Sequence, residues 1–472
     1  MPRRLCALFM GWWLTAVCLA GSPGLALAGG GPEPLGLLAC IDLAQRANSQ
    51  VGQTQSMEAW EKEKLAAAQR RFFPRLDLDL ANQPKVDYFG RPVDDRETYS
   101  SDLKLTQTLY TGGQLTARHD QAKQGLTKVG LTEAKSRLEV ALEVVPVYYK
   151  LLSARQVATL GQDLSAKAAE LVQGARQGVR EGYQRLEDLL HAEARLLEVS
   201  YKVADNQSQA RAAAMRLKEL LGLEREQALE LKPQAPQYAP PESAEGLLGQ
   251  ALKKNASLLQ AQSEELYQSL GLSVAETLSM PRLSLVGRYG MEGEDFPGPD
   301  KYSGVMLQCD ISFGDASAKT YYDYEHQKQN ETSFYFKDQE LHRKGLKLSF
   351  LDGSSSAVSL AEARYLRKKA HDDVRDTRAK LQTQVLSLWE ELKRHDDLYD
   401  LAGKQVELGG ERVAVARAKR EAGTATPAEV LEREMDLAEA RAKMIQAGHE
   451  RHRALALLCL LSGQALACED VK

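Results

Sequence analysis

Two His-Asp-Asp triplets, at residues 371–373 and 395–397, are the residue types in this chain that could hold a divalent metal. They lie 24 residues apart in charged stretches of one predicted long helix, so they cannot converge on one ion and read as solvated faces. His449, His452 and Cys459 share a helix face, but at heptad positions, where such side chains pack within a seam. The chain has no GxSxG, P-loop, GxGxxG or HExxH motif. No catalytic residue, metal ligand or cofactor is therefore assigned, and the sequence does not read as an enzyme. Cys40, Cys309, Cys459 and Cys468 form no CxxC pair. Residues 37–40 (LLAC) have the form of a lipoprotein acylation site, but residues 29–36 (GGGPEPLG) are too polar to end a signal segment, so Cys40 reads as an ordinary helix-start cysteine.

The elements that carry these residues are long helices. Of 472 residues, 43% are hydrophobic, 6% aromatic and 27% charged, a balance that suits extended helices better than a compact enzyme. Arg3 and Arg4 precede an apolar stretch from Leu5 to Ala20, and Ala26-Leu27-Ala28 offers a small-x-small cleavage site. Residues 1–28 are thus expected to be a signal peptide. Its removal takes the formal charge from −4 to −6, which leaves no basic excess for nucleic acid. Beyond it, no run approaches the roughly 20 apolar residues of a membrane-spanning helix, so a membrane could be crossed only by strands.

The chain repeats itself. An offset of 207 aligns residues 44–81 with 251–288, placing Asn48 on Asn255 and Pro74-Arg75-Leu76 on Pro281-Arg282-Leu283. Further on the offset is 241, with Leu105 on Leu346, Gly112 on Gly353 and Gly182 on Gly423. The difference locates a 34-residue insertion in the second repeat, between Pro281 and about Gly345. The expected domains are a first repeat over 29–231, a Pro-rich linker at 232–243, a second repeat over 244–463 and a tail at 464–472.

Each repeat reads as helix, strand pair, long helix, turn and helix. In the first, a helix over 41–72 is broken by Pro74, and 76–80 (LDLDL) alternate as a two-faced strand. A polar connection at 82–101 leads to a second strand at 103–110, completing a pair over 76–110, and Gly112-Gly113 free the chain to turn into a helical hairpin over 114–222. Leu138, Leu142, Val145, Tyr149 and Leu152 follow at coiled-coil spacing, as do Leu381, Val385, Leu388 and Leu392, and later Leu431, Met435, Ala438, Ala442 and Ile445. In the second repeat the strand pair with its insertion spans 282–351 and the helical hairpin 357–462. Residues 321–324 (YYDY) and 334–336 (FYF) fit either an enlarged outer hairpin, the favoured reading, or an extra strand pair. The first of these would put residues near 314–340 outside the cell.

Lipid cannot satisfy a strand edge, and two strand pairs cannot close a barrel alone. The subunit therefore shares a barrel with other copies, or it is a periplasmic coiled-coil scaffold whose strand pairs cap it. The duplicated order of the Pro74 and Pro281 junctions, the strand-to-helix run LTQTLYTGG (105–113) and the segments GYQRLEDLL (182–190) and GTATPAEVL (423–431) resembles the TolC-type outer membrane factor family, from about Cys40 to Gly463. The second repeat departs from it by its insertion and by LDGSSS at 351–356 in place of the Gly-Gly pair.

That resemblance implies a mainly α fold with a β-barrel part: a homotrimer with a twelve-stranded barrel set in outer-membrane lipid, continuous with a periplasmic tunnel of antiparallel coiled coils. It implies an efflux or type I secretion duct that passes cargo without chemistry, and as partners a periplasmic adaptor and an inner-membrane RND pump or ABC transporter. It places Glu429, Glu432 and Asp188 at an acidic periplasmic constriction, where replicated carboxylates would attract cations. It sets Arg180, Gly182, Tyr183, Arg420, Gly423 and Thr424 on tips facing the adaptor. Read from the residues alone, the acids offset helix dipoles and the glycines make turns. Pro74, Pro281, Gly112, Gly113 and Gly353 mark the helix–strand junctions.

Overall fold

The structure is a computed structural model that describes residues 34–86, 92–182, 184–232, 243–293, 296, 298–313, 316–328, 338–350 and 356–464. The helix expected over 41–72 is two helices, α1 (Leu37–Ala47) and α2 (Ser49–Arg70). Asn48 separates them: its backbone is extended, and its Oδ1 accepts from the N–H groups of Gln50 and Val51, at 2.8 and 3.3 Å. An extended Asn cap satisfies the orphan donors of one helix while ending the other, so it acts as a hinge within an otherwise helical pattern. The repeat carries the same device. Asn255 divides α5 (Ala244–Lys254) from α6 (Ala256–Glu276) and accepts from Ser257 and Leu258.

Strand β1 (Arg75–Val86) and strand β2 (Pro92–Tyr110) pair antiparallel, each longer than the alternating sequence suggests. The second repeat supplies four strands: β3 (Arg282–Gly293), β4 (Asp300–Phe313), β5 (Ala316–Lys328) and β6 (Asp338–Phe350). All six form one antiparallel sheet in sequence order, with β2 joined to β3 across the repeats. By the offsets, β3 answers to β1 and β6 to β2. The insertion is therefore the extra strand pair β4–β5, and two strand pairs per protomer become three. This corrects the enlarged outer hairpin. Phe313 pairs with Ala316, which pairs with Phe350 at the helix end of the sheet, so the β4–β5 connection faces the helices. Residues 329–337, with the 334–336 aromatics, lie outside the described residues.

Helix α3 (Gln114–Arg180) runs 67 residues, about 100 Å at 1.5 Å per residue, and continues through Pro146 and through the glycines at 174 and 178. At Gly178 the Gln184 side chain folds back over the helix, 2.8 Å from where a Cβ would stand. Helix α4 (Leu186–Leu221) returns along α3, and α7 (Ser356–Glu421) and α8 (Pro427–Ser462) form the second hairpin. Near the sheet the layer is α2, α3, α6, α7; near the turns it is α4, α3, α8, α7. Helices α4 and α8 both end in a left-handed glycine, Gly222 and Gly463. A side chain at either would meet the end of the short helix beside it, Ala47 or Lys254, at 2.8 Å. Two clusters at mid-height hold the layer together. One centres on Val145, Tyr149 and Leu152 with Leu217 and Leu457; the other centres on Leu258, Leu381, Val385 and Leu392 with Leu458. The heptad stripes read from sequence supply both.

Cys40 is fully buried inside α1, and burial pushes its thiol up to about 12. Among the described residues Cys40, Cys309 and Cys459 are free thiols. The linker residues 233–242 lie outside the described residues, and Leu35 bridges Leu231 just before them.

Candidate functional site

The tips are built from turn chemistry. Helix α3 ends at Arg180, Gly182 follows at φ 85°, and the Gln184 N–H donates to the Gly178 carbonyl. In the second tip Gly423 has φ 74°, and Thr424 donates through both its backbone N–H and Oγ1 to the Lys419 carbonyl, at 2.9 and 3.0 Å. Thr426 caps α8 by accepting from the Glu429 N–H, and Pro427 occupies the first helical turn. Arg180 and Arg420 sit exposed in the last turns of α3 and α7, where a cation complements the carbonyl end of the dipole. Tyr183 lies outside the described residues.

The acids lie at the start of the returning helices. Asp188 is half-buried in the first turn of α4 and Glu429 half-buried in the first turn of α8. Val172, Ala175, Leu189 and Ala192 form a small cluster against which Ala428 packs, and this contact brings the two turns side by side. Glu432 is exposed one turn on, close enough to Arg195 of α4 to help hold that guanidinium charged, after its hydrogen bond with Glu198. Sequence reasoning missed a fourth acid. Glu434 is buried and accepts two hydrogen bonds from Arg417 across the second hairpin, with Lys167 at 4.0 Å. It lies beside a groove of about 860 Å³ that Gly174, Gln177 and Arg420 also line. Its position between Leu431 and Leu437 is the sequence signal: a carboxylate on a packed face requires a partner.

At the other end of the helices the junctions interlock. Gly112 and Gly113 have φ 61° and 87°, and a Cβ on Gly112 would stand 2.2 Å from the Cβ of Met280, which precedes Pro281. Thr111 Oγ1 accepts from the Leu115 N–H, and Gln107 donates to the Phe72 carbonyl beside Pro74. Gly353 lies outside the described residues.

The sheet has two unlike faces. Leu76, Leu78, Leu103, Leu105, Leu285, Val305, Leu307, Leu346 and Leu348 lie on one face, all exposed. The opposite face carries Asp77, Lys104, Arg288, Asp323 and Arg343, with Arg288 donating to Asp323 at 3.0 Å and Arg343 to Glu325 at 2.9 Å. Two further apolar surfaces stand open on the helices. Leu186, Leu190, Leu197, Tyr201 and Met215 run down α4, and Leu386, Leu401, Leu408 and Val415 run down α7. Both stripes were hidden in the sequence among the charged residues that flank them.

The histidines take structural places. His371 pairs with Glu265 at 2.7 Å on the surface, while His395 is buried and burial lowers its pKa. His449 bonds Gln156 at 2.8 Å, and His452 stacks on Tyr149. Among the described residues no group of His, Cys, Asp or Glu side chains is placed to hold a metal, and no helix is long and apolar enough to cross a membrane.

Residues 41–223 match the sequence model of the outer membrane efflux protein family, a span that lies within the first repeat. No curated protein matches the chain. Among solved structures, the MtrE outer-membrane channel of Neisseria gonorrhoeae in its open state superposes with a TM-score of 0.70 at 15% identity, covering 92% of this chain and 91% of that one. The outer membrane protein VceC of Vibrio cholerae gives 0.69 at 13%, over 91% and 97%. The outer-membrane channel OprN gives 0.69 at 17%, over 91% and 90%. The fold is that of these channels, and the resemblance drawn from the sequence is borne out.

Proposed function

We propose that this chain, whose first repeat is of the outer membrane efflux protein type and whose fold is that of the outer-membrane channels, is one subunit of a homotrimeric duct in the outer membrane. The observation that carries the reading is its pair of unpartnered flanks. On one flank strand β1 continues into α2 and α4; on the other, β6 continues into α7. Among the described residues β1 and β6 each pair along one edge alone, and the helices of each flank carry an apolar stripe. In hydrocarbon each unmade backbone bond costs several kcal/mol, so β6 of one copy must meet β1 of another. Unlike flanks join head to tail, and such contacts are stable when the ring closes. The apolar face of the sheet then meets lipid and the charged face lines water.

The duct conducts passively, and the energy for transport comes from an inner-membrane RND pump or ABC transporter reached through a periplasmic adaptor. Exposed Arg180, Arg420, Gly423 and Thr424 offer the adaptor a surface at the tips, and Asp188, Glu429 and Glu432 form the acidic constriction behind it. Fractionation and planar-bilayer recording test the reading. Membrane-bound trimers with unitary conductance are expected. A monomer free in the periplasm, or a membrane trimer without conductance, would overturn it in favour of a coiled-coil scaffold.

A further inference from the structure

The helix layer and the sheet differ in how the second repeat crosses them. Helices α6 and α7 pack directly against one another, yet the strands they join, β3 and β6, are three strand spacings apart because β4 and β5 stand between them. In the first repeat α2 and α3 pack, and their strands β1 and β2 are immediate neighbours. The added pair is not a flap on the sheet edge. Strand β4 pairs with β5 without a register shift from Lys301–Lys328 to Phe313–Ala316, and β5 pairs with β6 from Ala316–Phe350 to Lys328–Asp338.

Both faces of the sheet continue across it. On the apolar face the row Leu285, Leu307, Tyr322 crosses from β3 to β5, where Lys344 of β6 lies over the Tyr322 ring. On the charged face Arg288 of β3 reaches over β4, where Gly304 opposes it without a side chain, to bond Asp323 of β5. Tyr302 lies over Gly290 and Tyr321 over Gly345, each so close that a Cβ on the glycine would fall within 2.5 Å of the ring. Long side chains on this face therefore lie along the wall and leave the space in front of it open.

We propose that β4 and β5 are wall strands, so that three copies of this chain close a barrel of eighteen strands wide enough to admit hydrated cargo of the same girth as the helical tunnel. This rests on the trimeric duct proposed above. Strands spaced about 4.8 Å apart and tilted about 40° give a circumference of about 113 Å for eighteen and about 75 Å for twelve. Four helices across each layer, about 10 Å apart in three copies, need about 120 Å. Eighteen strands thus meet the tunnel with almost no taper, and the tips become the sole narrow point.

The test places single cysteines along β5 in the full-length protein, with the native cysteines replaced by serine, in outer-membrane vesicles. Wall strands predict alternation. Lys319→Cys, Tyr321→Cys and Gln327→Cys should react with a charged, membrane-impermeant maleimide about tenfold faster than Ala318→Cys, Thr320→Cys and Tyr322→Cys, which should react with a lipid-soluble maleimide instead. A membrane-bound trimer in which both sets react alike with the charged reagent would overturn the eighteen-stranded barrel while leaving the duct intact. Electron cryo-microscopy of the same trimer should count eighteen strands in cross-section, and a count of twelve would overturn it equally. A soluble monomer in these preparations would instead overturn the duct, and the barrel with it.

Discussion

His449 shows what one residue adds to the helical layer. It is buried against Tyr149 and Gln156, and burial, with a smaller push from His452, lowers its pKa from 6.5 to about 4. The unfolded chain takes up a proton near pH 6.5 and the folded one does not, so stability is full above that pH and falls as pH drops toward 4. The loss over this window is about 3 kcal/mol, as an order of magnitude. His449→Gln, which keeps a hydrogen-bonding partner for Gln156, is expected to lessen the fall of the melting temperature between pH 6.5 and 4, read by circular dichroism, with His395 and His452, whose pKa values burial also lowers, supplying the remainder. The tip acids make a different prediction. Replacing Glu429 and Glu432 together with Ala is expected to weaken cation selectivity and block by trivalent cations in planar bilayers, with trimers still formed. If the carboxylates serve only the α8 dipole, selectivity stays unchanged and about 0.3–1 kcal/mol of helix stability is lost per residue.

At the scale of elements, the paired asparagines set where the short and long helices part. Asn48 caps only α2, whereas Asn255 caps α6 and also donates from Nδ2 to the buried Leu461 carbonyl near the end of α8. Asn48→Ala is expected to cost about 1 kcal/mol and Asn255→Ala about 2–3 kcal/mol in denaturant unfolding, because the second also orphans a buried carbonyl. Both residues stood in register in the sequence, but the break they make did not show, since the apolar spacing continues across it and a cap is told from a helical Asn only by its backbone. The Pro junctions, the tip glycines and the heptad stripes were legible because each is a local rule. The strand pair β4–β5 was passed over in favour of an enlarged outer hairpin for the opposite reason. Its alternation is diluted by tyrosines and charges, and whether a hairpin joins a sheet depends on partners far along the chain. Glu434 and Arg417 escaped notice in the same way, as a pair whose members lie on different helices.

The whole molecule is a slab with unlike flanks, and the proposed trimer would close through the open stripes of α4 and α7. Leu197 and Leu408 stand at comparable heights above their tips, one on each flank. Leu197→Glu is expected to shift the detergent-solubilised protein from trimer to monomer in sedimentation, and adding Leu408→Lys to restore trimers by giving the buried carboxylate a partner across the joint. A trimer unaffected by Leu197→Glu would remove α4 from the interface. The position of the β4–β5 connection carries one more consequence. Strand β6 must run toward the helices to feed α7, so growth of the sheet between β3 and β6 has to preserve that direction. An odd number of new strands would deliver the chain to the wrong side of the membrane; whole hairpins return it unchanged. In the proposed trimer, pore size would therefore be modular and obey a parity rule, with each grafted hairpin adding six staves to the ring while every helix keeps its place.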